Sequence, residues 1–141
     1  MNSRHALMYM DIAETVAKQS YATRLKVGAV AVNDNRILSI GYNGTPPGWD
    51  NLCEHDVPTN NGVVSVTRPE VIHAEENCIL KMARDGQPAK GSDLFVTHNP
   101  CSICARMIIT SGVKKVWWRN QYRDDAGLVM LTKANIALER I

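Results

Sequence analysis

Long apolar runs are missing from this 141-residue sequence, which nowhere approaches the ~20 consecutive apolar residues that a membrane-spanning helix needs. The amino terminus also lacks a basic segment followed by an apolar stretch and a cleavage site, so it does not have the pattern of a secretory signal. We therefore expect a cytoplasmic protein. In that reducing compartment, the four cysteines are expected to be core residues, metal ligands or reactive thiols rather than disulfides.

An excess of charge of one sign is also missing, since the net charge is only +2 and the Lys and Arg residues are scattered. This is too little for a broad nucleic-acid-binding face, so an anionic partner must be recognised locally. Internal repeats and low-complexity segments are absent as well. What is present is 45% apolar and 21% charged, which is ordinary globular composition. The length predicts one compact domain over residues 1–141.

Hydrophobic periodicity predicts alternating helices and strands. Apolar residues recur with a helical period from Ala6 to Ala17, with Leu7 widening the apolar stripe. Two apolar runs, Val27–Val32 and Ile37–Gly41, flank a polar turn and predict a β-hairpin. Both runs are apolar on both faces, so helices are expected on both sides of the sheet. Later patterns predict helices at 74–84, from Pro100 to 111–112 and at 124–133. The buried side of the first of these helices is expected to contain Cys78, Ile79, Met82 and Ala83. Strands are predicted at 94–97, 113–118 and 136–141.

These elements define a fold class. A helix that connects two consecutive strands implies that the strands run parallel. We therefore predict an α/β domain of three layers, α/β/α, whose central mixed sheet has five strands, an initial β-hairpin and parallel C-terminal strands. The segment from Gly41 to Ile72 is rich in Gly, Pro, Asn and Asp, and we predict a long ordered loop with a functional role there.

Two short motifs bear on function: His73-Ala74-Glu75 opens the second predicted helix, and Pro100-Cys101-Ser102-Ile103-Cys104 opens the third. Alone, such a His is usually a cap or surface residue, and such a Cys pair is usually core packing. Together they offer one imidazole and two thiolates, which is a typical donor set for zinc. Helix N-termini also favour negatively charged ligands. His73, Cys101 and Cys104 are therefore predicted zinc ligands, with the fourth position left for water.

Glu75 follows His73 by two residues, close enough to reach a water molecule in the fourth position without becoming a ligand. A carboxylate placed there serves as general base and then as general acid. The alternative is an ordinary acidic residue in a first helical turn, which is how we interpret Glu76. A second alternative is a structural zinc in a binding module, which needs a fourth protein ligand, and His98 is the convenient one.

The H-x-E and P-C-x-x-C pair resembles the signature of the zinc-dependent nucleobase and nucleotide deaminases. Gly41-Tyr42-Asn43-Gly44-Thr45-Pro46, the long following loop and Thr97-His98-Asn99-Pro100-Cys101 resemble the dCMP deaminases, particularly the compact phage-type enzymes. This resemblance implies a fold like that of cytidine deaminase, one catalytic Zn2+ per chain and hydrolysis of dCMP to dUMP and ammonia, which supplies dUMP for thymidylate synthesis.

The substrate-binding residues are less strongly indicated. By resemblance, Asn43 should hydrogen-bond the sugar or base, although a turn residue beside Gly44 is the alternative. Tyr122 and Arg123 follow a predicted strand, and ligands of open α/β sheets gather beyond the C-terminal ends of strands, so we expect stacking and phosphate contact there. Lys26 is a further phosphate candidate. Cys53 and His55 in the long loop offer only two ligands for a second zinc, so an ordinary loop is the preferred interpretation.

The resemblance also implies regulation, since dCMP deaminases of this kind are homohexamers that dCTP activates and dTTP inhibits. The expected effector site uses Gly44 and Thr45, with Arg84 as a phosphate partner and Mg2+ accompanying the triphosphate. Other zinc deaminases, acting on tRNA adenosine, free cytidine or guanine, remain alternatives. The small net charge disfavours the tRNA enzyme.

Overall fold

The computed structural model describes residues 1–122 and 124–141. Within them lie four helices, a five-stranded sheet and a separate two-stranded sheet. No helix in these two ranges is long and apolar enough to cross a membrane. In chain order the elements are α1 (Ser3–Ala17), β1 (Gly28–Asn33), β2 (Arg36–Tyr42), β3 (Glu54–Thr59), β4 (Gly62–Thr67), α2 (Ala74–Arg84), β5 (Asp93–His98), α3 (Ser102–Ser111), β6 (Lys115–Asn120), α4 (Ala126–Lys133) and β7 (Ala137–Arg140).

The five-stranded sheet has the order β2-β1-β5-β6-β7. β1 pairs antiparallel with both β2 and β5, whereas β5, β6 and β7 run parallel. The crossover helices α3 and α4 connect these parallel strands, as the alternation of helical and strand patterns predicts. The predicted mixed five-stranded sheet with parallel C-terminal strands is confirmed.

Helices cover both faces of this sheet. Helix α1 packs on one face, where Met10 and Tyr9 meet Phe95 and Trp117. Helices α2, α3 and α4 pack on the other, in a core that includes Cys78, Met82, Leu94, Ile108, Trp118 and Leu131. Trp117 and Trp118 therefore point to opposite faces, as adjacent strand residues must.

The prediction that helices cover both sides of the sheet is confirmed, and the β1 residues Gly28 to Val32 are all buried. The strand β2 is less buried than β1. β2 lies at the sheet edge, and Ile37 and Ile40 are 44% and 41% exposed. Apolar content alone does not distinguish an edge strand from a central one. Leu7 and Ala83 are also exposed, contrary to prediction, because each lies beyond the buried stripe of its helix.

The predicted loop from Gly41 to Ile72 contains a second β-hairpin, β3–β4, which is a correction to the sequence analysis. Its signal is in the sequence, because an Asn-Gly pair such as Asn61-Gly62 is typical of hairpins, and Val63, Val64 and Val66 favour strands. The turn itself is made by Asn60 and Asn61, since Thr59 pairs with Gly62. Gly62 has a φ of +108°, a conformation that favours glycine.

The start of α3 is a second correction. Pro100 is not its first residue, because Cys101 is the N-cap and α3 begins at Ser102. The Cys101 sulfur accepts the backbone N–H of Cys104 at 3.4 Å, which is the role of an N-cap side chain. The predicted end is confirmed, since Gly112 closes α3 in the left-handed conformation with a φ of +85°.

Candidate active site

The N-termini of α2 and α3 meet beneath a cavity, and their N-cap residues are His73 and Cys101. His73 Nδ1 lies 3.6 Å from the Cys101 sulfur and 3.4 Å from the Cys104 sulfur. A tetrahedral zinc with ordinary bond lengths separates its N and S ligands by about 3.5 Å, so the spacing fits the ion. His73, Cys101 and Cys104 are the one His/Cys/Asp/Glu group that fits a metal within residues 1–122 and 124–141, and they form the predicted zinc site.

Backbone hydrogen bonds hold these ligands in place. Glu76 Oε1 accepts the backbone N–H of His73 at 3.1 Å, which is the capping role that an acidic residue in the first turn supplies. Just before His73, Gly44 and Ile72 exchange two backbone hydrogen bonds of 3.1 and 2.8 Å. This bridge fixes the end of β2 against the metal-binding helix α2.

The ionisation of Cys101 suits a metal site. The hydrogen bond from Cys104 lowers the pKa of Cys101 to about 3, against the opposing effect of burial, and His73 adds a further hydrogen bond. The same contact with Cys101, together with burial, raises the pKa of Cys104. The hydrogen bond to Cys101 raises the pKa of His73. Cys101 is thus a thiolate at neutral pH, the form in which cysteine binds zinc.

Glu75 lies in the first turn of α2 and is only 5% exposed. It borders the same cavity as His73 and Cys101. Burial is the largest influence on its carboxyl group and raises its pKa, because a charged carboxylate loses hydration in a low-dielectric site. A group that holds a proton more readily than an ordinary glutamate suits a residue that must both accept and release one.

Asn43 also lines the cavity, where the structure places it beside the metal ligands. Its Oδ1 accepts the backbone N–H of Val27, and its Nδ2 donates to the Leu25 carbonyl, both at 2.8 Å. The side chain therefore braces the connection from α1 to β1. An amide keeps one further donor hydrogen and one acceptor lone pair, which are the groups that remain for a ligand.

Tyr122 borders the cavity as well, beyond the carboxyl end of β6. Asn99, which sequence analysis did not single out, holds this segment. Its Oδ1 accepts the backbone N–H of Tyr122 at 2.7 Å, and its Nδ2 donates to the Asp124 carbonyl at 3.1 Å. Arg123, the other predicted phosphate contact, lies outside the described residues.

Arg24 and Lys26, two cationic residues of the α1–β1 connection, differ in position. Both are exposed, but Arg24 lines the cavity and Lys26 does not. Glu54 Oε1 accepts the backbone N–H groups of Thr23 and Arg24 at 2.8 and 3.1 Å, and Arg24 Nη1 donates to Thr67 Oγ1 at 3.1 Å. Sequence analysis missed Arg24 because only the β3–β4 hairpin, itself missed, brings these partners to it.

The predicted effector residues are not together within one chain. Gly44 and Thr45 lie near the start of α2, in a depression that also includes Lys81. Arg84 is the last residue of α2, about 15 Å from the helix start, and pairs with Asp85 at 2.9 Å.

The alternative metal arrangements do not assemble. His98 Nδ1 faces Thr97 Oγ1 at 2.9 Å, and His98 is not among the three grouped ligands. Cys53 is buried against Ala22 and Val71, while His55 is exposed on β3. Cys78 is fully buried in the main core, as expected.

Comparison with known proteins agrees with the site. Residues 3–119 match the family model of the cytidine and deoxycytidylate deaminase zinc-binding region. A crystal structure of dCMP deaminase from the cyanophage S-TIM5, in complex with dCMP and dUMP, superposes with a TM-score of 0.90 at 40% identity, covering 100% of this chain and 99% of that one.

Two further relatives are sequence matches. A deaminase encoded in the luxG 3′ region of Aliivibrio fischeri is 37% identical over 124 residues, or 88% of this chain and 78% of its own length. The deoxycytidylate deaminase of enterobacteria phage T4 is 31% identical over 147 residues, covering 80% of this chain and 76% of its own. With its zinc ligands and its acidic residue in place, the chain belongs to the cytidine and deoxycytidylate deaminase zinc-binding family.

Proposed function

We propose that this protein hydrolyses dCMP to dUMP and ammonia. The observation that carries the proposal is the cavity in which Glu75 stands beside a three-ligand zinc site, because three protein ligands with an open position are typical of catalytic rather than structural zinc. The choice of dCMP is supported by the similarity to the cyanophage enzyme, whose crystal structure holds dCMP and dUMP.

Zinc in this site supplies Lewis acidity, which activates water for attack at neutral pH. The buried Glu75 accepts one proton from the attacking water as the water oxygen bonds to the ring carbon that carries the amino group. Glu75 then gives that proton to the adjacent ring nitrogen. The carbon–nitrogen bond to the amino group breaks as the second water proton passes to the leaving nitrogen, and ammonia departs from the uracil product.

The nucleotide is held by residues on the cavity wall. Asn43 and Tyr122 contact the sugar and base, and Arg123 binds the phosphate. We assign Arg24 to the phosphate in place of Lys26, because Arg24 borders the cavity and its guanidinium is anchored on Thr67. An arginine bonds a phosphate through two parallel N–H groups, which adds orientation to charge attraction.

The test is to incubate the zinc-loaded protein with cytosine and adenine nucleosides and nucleotides and to measure ammonia and the deaminated product. The proposal expects dCMP to have the highest kcat/KM of the panel. Preference for free cytidine, guanine or a tRNA adenosine assigns the protein to another zinc deaminase. Stoichiometric zinc with no ammonia from any substrate favours a structural-zinc module.

A finer part of the proposal is regulation in a homohexamer, with dCTP as activator, dTTP as inhibitor and Mg2+ bound to the triphosphate. The depression with Gly44 and Thr45 supports an anion site, since the cationic residue Lys81 is among its lining residues. Regulation requires that each effector prefer one conformation, because equal affinity for both shifts nothing.

The measurement is a dCMP saturation curve without effector, with dCTP and with dTTP, for the wild type and for Lys81→Glu and Arg84→Glu. Loss of the effector response in only one variant identifies the phosphate partner. Superimposable wild-type curves contradict the regulation and leave the deamination untouched. Sedimentation of the same samples tests the hexamer, and cell fractionation tests the cytoplasmic location.

A further inference from the structure

The last residue of β5, His98, borders the active-site cavity but is neither a zinc ligand nor part of the chemistry described above. Its ring meets the Tyr122 ring edge to face, with centroids 6.1 Å apart and an interplanar angle of 84°. The imidazole is thus one wall of the site in which we have proposed that a nucleotide binds.

The neighbouring Thr97 determines how this ring presents its nitrogens. Thr97 is fully buried, and its Oγ1 accepts the backbone N–H of Gly28 at 3.2 Å and faces His98 Nδ1 at 2.9 Å. Because the hydroxyl oxygen already accepts the Gly28 hydrogen bond, its own hydrogen is satisfied by donation to Nδ1. Any other arrangement leaves a buried hydroxyl hydrogen without an acceptor, which costs free energy.

The tautomer of His98 follows from this contact. If Nδ1 accepts, the proton of the neutral ring is on Nε2. Burial lowers the pKa of His98, so the ring is neutral near pH 7. Nε2 makes no hydrogen bond with any residue of 1–122 or 124–141. No side-chain N or O buried in that part of the chain lacks a partner, so Nε2 is not buried, and His98 lines the cavity.

We propose that His98 is a substrate-binding residue, whose Nε2–H donates a hydrogen bond to an oxygen of the bound nucleotide and whose tautomer is fixed by Thr97. The proposal rests on the proposed function for the identity of the ligand. The acceptor is an oxygen of the phosphate or of the nucleoside, and the two sources are distinguished by comparing dCMP with deoxycytidine and dUMP with deoxyuridine.

The kinetic test uses the zinc-loaded protein with His98→Gln, which keeps an N–H donor of similar reach, and His98→Leu, which removes it. We expect Leu to raise the KM for dCMP and the Kd for dUMP about tenfold or more, with kcat less affected, and Gln to recover most of the loss. A loss confined to the phosphorylated ligands assigns the bond to the phosphate, and an equal loss with the nucleosides assigns it to sugar or base. Equal effects of Gln and Leu, or an unchanged Kd for dUMP, overturn the proposal.

A second measurement does not depend on turnover, and its first part needs only the wild-type protein. In the 15N-histidine-labelled wild type, the ring nitrogen shifts should show His98 protonated at Nε2 and unprotonated at Nδ1. Thr97→Ser, which keeps the hydroxyl, should preserve this pattern, and Thr97→Val should lose it. Protonation at Nδ1 in the wild type overturns the proposal. If the wild-type protein does not turn over dCMP but His98 has the expected tautomer, only the proposed function is contradicted.

Discussion

Replacing Gly127 by Ala should weaken both the fold and the zinc site, although Gly127 is not a ligand. Gly127 lies buried in the first turn of α4, against the loop that carries Cys101. An added Cβ falls well inside van der Waals distance of the Pro100 carbonyl oxygen and lies 2.9 Å from the carbonyl carbon of Cys101. Both neighbours are backbone atoms, so neither is relieved by a side-chain rotation. Either α4 or the ligand loop must move.

The magnitude follows from two opposing effects. Alanine is favoured over glycine inside a helix by about 1 kcal/mol, which alone stabilises the variant. Overpacking costs typically about 1–3 kcal/mol, and contact with backbone on the partner side places Gly127→Ala at the upper end. We therefore expect a net loss of about 2 kcal/mol in the free energy of unfolding. Zinc affinity should fall as well, because the displaced loop holds a ligand.

Urea unfolding of the zinc-loaded protein measures the first effect, and competition with a chromophoric chelator measures the second. Val129→Ala is the matched control, since Val129 is 51% exposed on the same helix. It should change stability by no more than about 0.5 kcal/mol and leave zinc affinity unaltered. A Gly127→Ala protein as stable as the wild type, with the same zinc affinity, refutes the close approach of α4 to the ligand loop.

Two further predictions concern the site directly. Cys104→Ser should lose most of its zinc and its activity, because a neutral hydroxyl replaces a thiolate poorly; full occupancy in an elemental analysis would show that the ligand is assigned wrongly. Arg24→Met should raise the KM for dCMP about tenfold or more through loss of a charged hydrogen bond, while Lys26→Met, at a residue that does not line the cavity, changes it less than about twofold. A larger increase in KM for Lys26→Met than for Arg24→Met in steady-state kinetics would assign the phosphate contact to Lys26.

The zinc site could be predicted from the sequence because its ligands lie in short local motifs. His73 and Cys101 are each the N-cap of a helix, and helix starts are marked by capping residues and by the onset of a 3.6-residue period. The parallel β5–β6–β7 arrangement followed from the intervening helices. These inferences require no knowledge of which distant residues meet.

The cavity wall was less predictable because it depends on distant contacts. Arg24 is oriented by Glu54 and Thr67, which are 30 and 43 residues away along the chain. Lys26 is also positively charged, and only the fold shows that Arg24, not Lys26, lines the cavity. The β3–β4 hairpin was hidden by the Gly, Pro and Asn content of its surroundings, although its Asn61-Gly62 pair is a recognisable sequence signal. Both strands are largely exposed, so burial did not shape their pattern.

Glu75 is proposed to move the protons in a zinc-assisted deamination of dCMP, and the substitution Glu75→Gln removes this ability. Gln keeps the shape of the side chain but cannot accept and release the proton. Zinc content, dUMP affinity and ammonia release should be measured on the same preparation of the variant and of the wild type. We expect wild-type protein to release ammonia and dUMP in equal amounts, and the variant to keep its zinc and its dUMP affinity while kcat falls about a hundredfold or more. Near-normal turnover by the zinc-loaded variant, or no ammonia from the zinc-loaded wild type, would contradict the account.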